Sequence, residues 1–214
     1  MIFSIRRRAL QWLQAISLCL LSTAFCSEAA AASVTVQVLD AAGAPAPNAV
    51  VYAVPVGGQS VPRNQKPTEV EQKNIHFYPL VTVVQTGTAI AFPNHDKVRH
   101  QVYSFSPPKT FELKLYAGVP SNPIVFDKPG IVVLGCNIHD EMVAYIQVVD
   151  TPYFGKTDMS GSVKLDGLVN GKYVLKVWYF RMAANEAPLE QAFSLQGTDL
   201  SLATKLHVKA VPVE

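Results

Sequence analysis

The chain carries little charge, few cysteines and, after its first 25 residues, no long apolar run. Only 16% of its 214 residues are charged, and the formal net charge is +2. That is too small for the electrostatic footprint of a nucleic-acid-binding protein, so no nucleic-acid partner is expected. Three cysteines are too few for a disulfide scaffold. No hydrophobic period of the helical kind persists beyond about two turns. Fifteen prolines and twelve glycines also disfavour long helices. What the chain does have is apolar substance. Hydrophobic residues make up 49% of it, which excludes global disorder. The length suggests one or two domains.

The N-terminus reads as an address. Arg6, Arg7 and Arg8 form a basic start, residues 9–25 are mostly apolar, and Glu28 leads into the small run 29–32. This pattern predicts a signal peptide over residues 1–32, cut after Ala31 or Ala32 at an Ala-x-Ala site. An uncleaved anchor is disfavoured because the apolar run is short and broken by Gln11 and Gln14. A lipoprotein anchor at Cys26 is disfavoured by the bulky Phe25 before it. Twin-arginine export stays open, since residues 4–10 match that signal loosely. The expected location is the periplasm, and the mature chain is not expected to be an integral membrane protein. Removing Arg6, Arg7, Arg8 and Glu28 from 18 basic and 16 acidic residues leaves 15 of each. Cys19 and Cys26 leave too. Cys136 is then the only thiol and has no internal disulfide partner.

From Ser33 onward the pattern is β. Val34, Val36 and Val38 alternate with polar residues before a turn at 40–43. Further strands are expected at 49–55, 102–105, 124–126 and 143–149, with Phe111, Leu113 and Leu115 alternating on another. Residues 80–84 and 89–92 flank Gly87 as an expected hairpin, and residues 57–73 read as loop. The apolar run 131–134 is expected to be a strand buried on both faces. The fold class is all-β, most simply a sandwich.

Residues 33–55 and 156–180 look like two halves of one module. The first has Val34-Thr35-Val36-Gln37-Val38, then Gly43-Ala44-Pro45 and Asn48-Ala49-Val50-Val51. The second has Asp158-Met159-Ser160-Gly161, Leu165-Asp166-Gly167-Leu168, and Gly171-Lys172-Tyr173 before Leu175-Lys176-Val177. They resemble the carboxypeptidase-regulatory or Cna-B-like sandwiches, which implies a transthyretin-like β-sandwich split over residues 33–60 and 155–212. A second sandwich would then be inserted between them. The alternative is one enlarged sandwich whose last strands carry Phe193/Leu195 and Leu206/Val208.

The middle segment holds Leu134-Gly135-Cys136-Asn137-Ile138-His139-Asp140-Glu141-Met142. A thiolate, an imidazole and a thioether stand three residues apart on one short loop between two expected strands. Upstream lies Phe92-Pro93-Asn94-His95-Asp96-Lys97-Val98-Arg99-His100. One cysteine, two histidines and a weak axial methionine form the donor set of a blue-copper electron-transfer site. His100 competes with His95 for the second imidazole. It is the stronger candidate because it opens a strand while His95 sits in the turn. Leu134 and Ile138 are expected to keep water from the sulfur. His76 and His207 have no ligand neighbours and read as structural or surface residues. Cys136 could instead be an inert core thiol, His139 a loop histidine and Met142 core packing. A single thiol with His and Met at this spacing makes metal ligation the stronger reading.

This stretch resembles the cupredoxin family of small blue copper proteins, plastocyanin- and amicyanin-like, over residues 75–150. The wider arrangement is similar to proteins labelled methylamine utilization proteins. The resemblance implies a cupredoxin Greek-key β-sandwich and one type 1 copper held by His100, Cys136, His139 and Met142. It also implies that Asn94 bonds between the ligand loops and that the edge of His139 lies nearest solvent. Leu134 departs from the aromatic residue that many cupredoxins carry two positions before the cysteine. A single-electron carrier follows, with a cytochrome or dehydrogenase as redox partner. Asp140 and Glu141 could steer a basic partner or simply be a solvated turn.

The other reading is a periplasmic copper-binding or delivery protein, but the chain has only four methionines and no histidine cluster. A Cys–His hydrolase lacks its separately placed base and the usual helix start. Zinc could take the thiol and imidazoles, but methionine is not among its usual ligands. No enzyme is expected. N-terminal sequencing of the exported protein is expected to start at Ala32 or Ser33. A chain beginning at Met1 would contradict the signal-peptide reading.

Overall fold

The computed structural model describes residues 31–57, 63, 65–120, 122–183 and 185–210. The expected signal peptide lies outside them except for Ala31 and Ala32, and Ala32 is already the first residue of the first strand. The described residues form seventeen strands and no helix. Accordingly, none of them forms a helix long and apolar enough to cross a membrane. In chain order the strands are β1 (Ala32–Leu39), β2 (Val50–Pro55), β3 (Thr68–Glu69), β4 (Glu71–Lys73), β5 (His76–Tyr78) and β6 (Val81–Gln85). There follow β7 (Thr88–Ala91), β8 (His100–Ser106), β9 (Lys109–Tyr116), β10 (Ile124–Phe126), β11 (Gly130–Gly135) and β12 (Val143–Val149). The last five are β13 (Phe154–Lys156), β14 (Ser162–Leu168), β15 (Gly171–Trp178), β16 (Leu189–Leu195) and β17 (Leu200–Lys205).

Two hydrophobic cores divide the strands. The sheets β14-β1-β17 and β13-β2-β15-β16 enclose the first, built on Val34, Val36, Val51, Leu165, Tyr173 and Trp178. The sheets β6-β12-β11-β8-β9 and β10-β7-β3 enclose the second, built on Ile90, Phe92, Phe126, Val132, Leu134 and Ile146. Period-two alternation lets one sheet serve both. On β6 and β12, Val81 and Tyr145 point to the first core, while Val84, Ile146 and Val148 point to the second. The Tyr145 ring stands 5.9 Å from Trp178 and 5.6 Å from Phe180. Lys156 Nζ donates to Val81 O at 2.7 Å across the same junction, and burial pushes its ammonium pKa down.

Several expectations change. Residues 80–84 and 89–92 are strands but do not form a hairpin. β6 runs parallel to β12, whereas β7 pairs with β10 and β3. At the corner Thr86 N donates to Val149 O and Gly87 N to Phe126 O, so the chain leaves one sheet and enters the other. Gly87 takes φ +90 there, which glycine adopts without a side-chain penalty. Residues 57–73 contain β3 and β4. Among the described residues of this segment only Val70 and Gln72 are buried, so no apolar period marks it. The run 131–134 is not buried on both faces, because Val133 is 41% exposed while Val132 and Leu134 are fully covered. Phe193 and Leu195 lie on β16, but Leu206 follows β17 and its N–H donates to Leu39 O.

Because β12 carries Ile146 into one core and Tyr145 into the other, damage should propagate. Ile146→Ala is expected to cost about 2–5 kcal/mol. It is expected to move the urea transition of Trp178 fluorescence, Trp12 being the only other tryptophan and within the leader. An unmoved Trp178 transition would mean that the cores unfold independently.

Candidate metal centre

The β11–β12 hairpin positions the thiol. Its ladder runs from Gly130↔Val148 to Gly135↔Val143 and then opens into residues 136–142. Cys136 and Met142 therefore leave the two strands side by side. Met142 N donates to His139 O at 3.0 Å and Val143 N to Glu141 O at 3.0 Å, which folds the loop back on itself. Gly135 also pairs with Tyr103 on β8. Where β11 approaches β8, a Cβ at Gly135 would lie 2.8 Å from the tip of the Tyr103 side chain, which would have to shift. That approach brings His100, the first residue of β8, to Cys136.

The result is one cluster. His100, Cys136 and His139 present ligand atoms that all lie within 4.8 Å of one another. Cys136 Sγ is 3.9 Å from His139 Nδ1, and the two imidazole centroids are 5.0 Å apart at 63°. Cys136 is buried, His100 has no exposed surface, and His139 is partly exposed among the exposed Asn137, Ile138, Asp140 and Glu141. Met142 is fully buried in the same core as Cys136.

His100 is held through Nε2, which lies 2.8 Å from Asp96 Oδ2. Its Nδ1 is buried and has no hydrogen-bond partner in the protein. Such an orphan costs about 1–3 kcal/mol unless something outside the chain satisfies it. A metal ion would do so, and thiolate plus two imidazoles suits a transition metal of borderline or soft character. The donor set fits.

The other histidines are placed elsewhere. His95 is about half exposed and its Nε2 is 3.5 Å from Glu71. His76 Nδ1 is 2.7 Å from Asn74 O, and His207 Nε2 is 2.5 Å from Glu186. Asn94 does not bridge the ligand loops. Its Nδ2 donates to Val98 O and Tyr116 O, and its Oδ1 accepts from Asp96 N. It is a turn-forming residue that ties the 94–99 loop to β9. Ile138 does not shield the sulfur, being 50% exposed, whereas Leu134 is fully buried.

Three participants carry no sequence signal of their own. Burial pushes the Asp96 carboxyl up, but the Ile75 amide, His100 and the Asn74 amide together outweigh it and hold the pKa below the usual value. Burial drives the Tyr116 phenol to about 12, Gln72 offsets part of this, and the nearby Cys136 sulfur adds to it. Tyr116 pairs with His100 across β8–β9 and donates to Phe92 O at 2.6 Å. Gln72, fully buried, donates to the Tyr116 hydroxyl and to Phe92 O. Only the Asp-x-x-x-His spacing of Asp96 and His100 could have pointed to one of them.

Solved structures resemble part of the chain, a cupredoxin among them. A purple cupredoxin from Nitrosopumilus maritimus is 19% identical, with 38% of this chain and 99% of that one covered and a TM-score of 0.34. Amicyanin from Paracoccus versutus is 12% identical, with 46% and 98% covered and a TM-score of 0.34. A Cu-containing nitrite reductase from Thermus scotoductus is 27% identical at a TM-score of 0.37. The match takes in 45% of this chain but only 25% of the reductase. No family model matches the chain, and no curated protein matches it either.

Titration of the purified protein with Co(II) is expected to produce thiolate charge-transfer absorption. His95→Ala should keep that absorption, Cys136→Ser should abolish it, and His100→Ala should weaken binding by about 10–100-fold or more. Loss with His95→Ala, or retention with Cys136→Ser, would contradict the assignment.

Proposed function

We propose that the chain is an exported copper protein that carries single electrons between redox partners. The observation that carries the reading is the buried, unpartnered His100 Nδ1 beside the Cys136 thiol and the His139 imidazole. His100, Cys136 and His139 would hold one type 1 copper, with Met142 as a weak fourth donor. Copper in such a donor set supplies one-electron chemistry between Cu(I) and Cu(II).

The chain's own residues supply the rest. His100 and Cys136 leave two sheet strands, so little has to move when the charge at the centre changes. Leu134 and Met142 line the buried side and exclude water. His139 faces the surface and offers an edge at which a partner's cofactor can approach. Asp140 and Glu141 beside it are exposed and acidic, which suits a partner with a basic docking face. In this reading the partner is a cytochrome or a dehydrogenase in the periplasm. The middle segment, residues 75–150, carries the chemistry. Residues 33–60 and 155–212 form a transthyretin-like support that presents it.

Copper loading tests the reading. One equivalent of Cu(II) is expected to give an intense blue absorption and the EPR signature of a covalent Cu–thiolate, both lost in Cys136→Ser. The reduced and oxidised forms should exchange electrons with a soluble cytochrome without losing the metal. A colourless protein without a redox couple would contradict the proposal. Rapid release of copper to an acceptor with slow electron exchange would indicate delivery instead.

A further inference from the structure

A chain of contacts stands behind His100 that its ligation does not itself require. His100 Nε2 lies 2.8 Å from Asp96 Oδ2, which also accepts from the Ile75 amide at 2.9 Å. Asp96 Oδ1 accepts from the Asn74 amide at 2.7 Å. Asn74 and Ile75 are the tip of the β4–β5 hairpin, with φ of 54° and 61°. Two consecutive positive φ values mark a type I′ turn, which suits asparagine but is costly for a β-branched residue. Burial does not account for the choice, because Ile75 is 45% exposed. What the turn does achieve is to aim two successive amides at one carboxylate. The hairpin is also fixed to the ligand loop at its base. Gln72 N donates to Pro93 O and His95 N donates to Gln72 O, each at 2.8 Å.

We propose that Asp96 is a positioning residue for His100 and that the exposed β4–β5 turn clamps it in place. The proposal rests on the metal-centre reading above. An ionised carboxylate at Nε2–H keeps the ring proton there and leaves the Nδ1 lone pair for the metal. It also raises the donor strength of the ring, as outer carboxylates do for metal-bound histidines. The Asn74 and Ile75 amides stop the carboxylate from rotating away. An exposed hairpin thereby sets the tautomer of a buried ligand.

Two readouts test this, one of them independent of any metal. In the metal-free protein, nitrogen-detected histidine NMR is expected to show His100 protonated on Nε2 and bare on Nδ1. Asp96→Ala should give mixed tautomers and bind Cu(II) about 10–100-fold more weakly in chelator competition. Asp96→Asn keeps an acceptor but not the charge and should fall between, which holds the test if the alanine variant folds poorly. Ile75→Pro deletes one amide and cannot adopt the turn, so it should weaken Cu(II) binding in the same direction. Ile75→Gly keeps both and should match the wild type. A wild-type His100 protonated on Nδ1, or Asp96 variants with unchanged affinity, would overturn the positioning role. Ile75→Pro indistinguishable from Ile75→Gly would overturn the clamp. The expected tautomer in a protein that takes up no copper would uphold the Asp96 role and overturn the copper reading alone.

Discussion

A buried imidazole nitrogen without a protein partner is the constraint on which the rest of the account depends. His100 has no exposed surface, and only one of its two ring nitrogens is satisfied within the chain. A packed β-core does not leave such a group idle without cost. Everything around it serves to keep it there. Gly135 pairs with Tyr103 where β11 meets β8, the β11–β12 ladder delivers Cys136 and Met142 together, and Asp96 stands on the far side of the ring. Strand pairing thus fixes both ends of the short 136–142 loop and places His100 against it. That is the kind of support a centre needs if its geometry is to change little between two charge states.

The five-stranded sheet links this site to the remainder of the protein. Its alternating residues feed two cores, so neither face is solvent along β6 and β12. Tyr145 on one face reaches Trp178 and Phe180, and Ile146 on the other reaches the core that contains Cys136 and Met142. The flanking strands thus buttress the sheet that carries the ligands.

Much of this was legible in the residues. The alternation of Val34, Val36 and Val38 and the run 143–149 mark strands because period two is a strong local signal. The Cys-x-x-His-x-x-Met loop and the preference for His100 over His95 rest on residue chemistry and on position relative to a strand. What was not legible depends on long-range pairing. β6 and β7 read as a hairpin because a glycine lies between two apolar runs, and nothing local reveals that they belong to different sheets. Ile138 reads as apolar shielding, but it lies at a loop tip where burial depends on what folds over it. Asp96 and Gln72 read as turn and loop residues, and their contacts arise only when the β4–β5 hairpin folds against the 92–96 segment.

Copper held by one thiolate and two imidazoles is the central claim. X-ray absorption at the copper edge of the loaded protein tests it most directly. One short sulfur contact from Cys136 together with two imidazole nitrogens is the predicted coordination. A shell of nitrogen and oxygen alone, with no short sulfur contact, would contradict it.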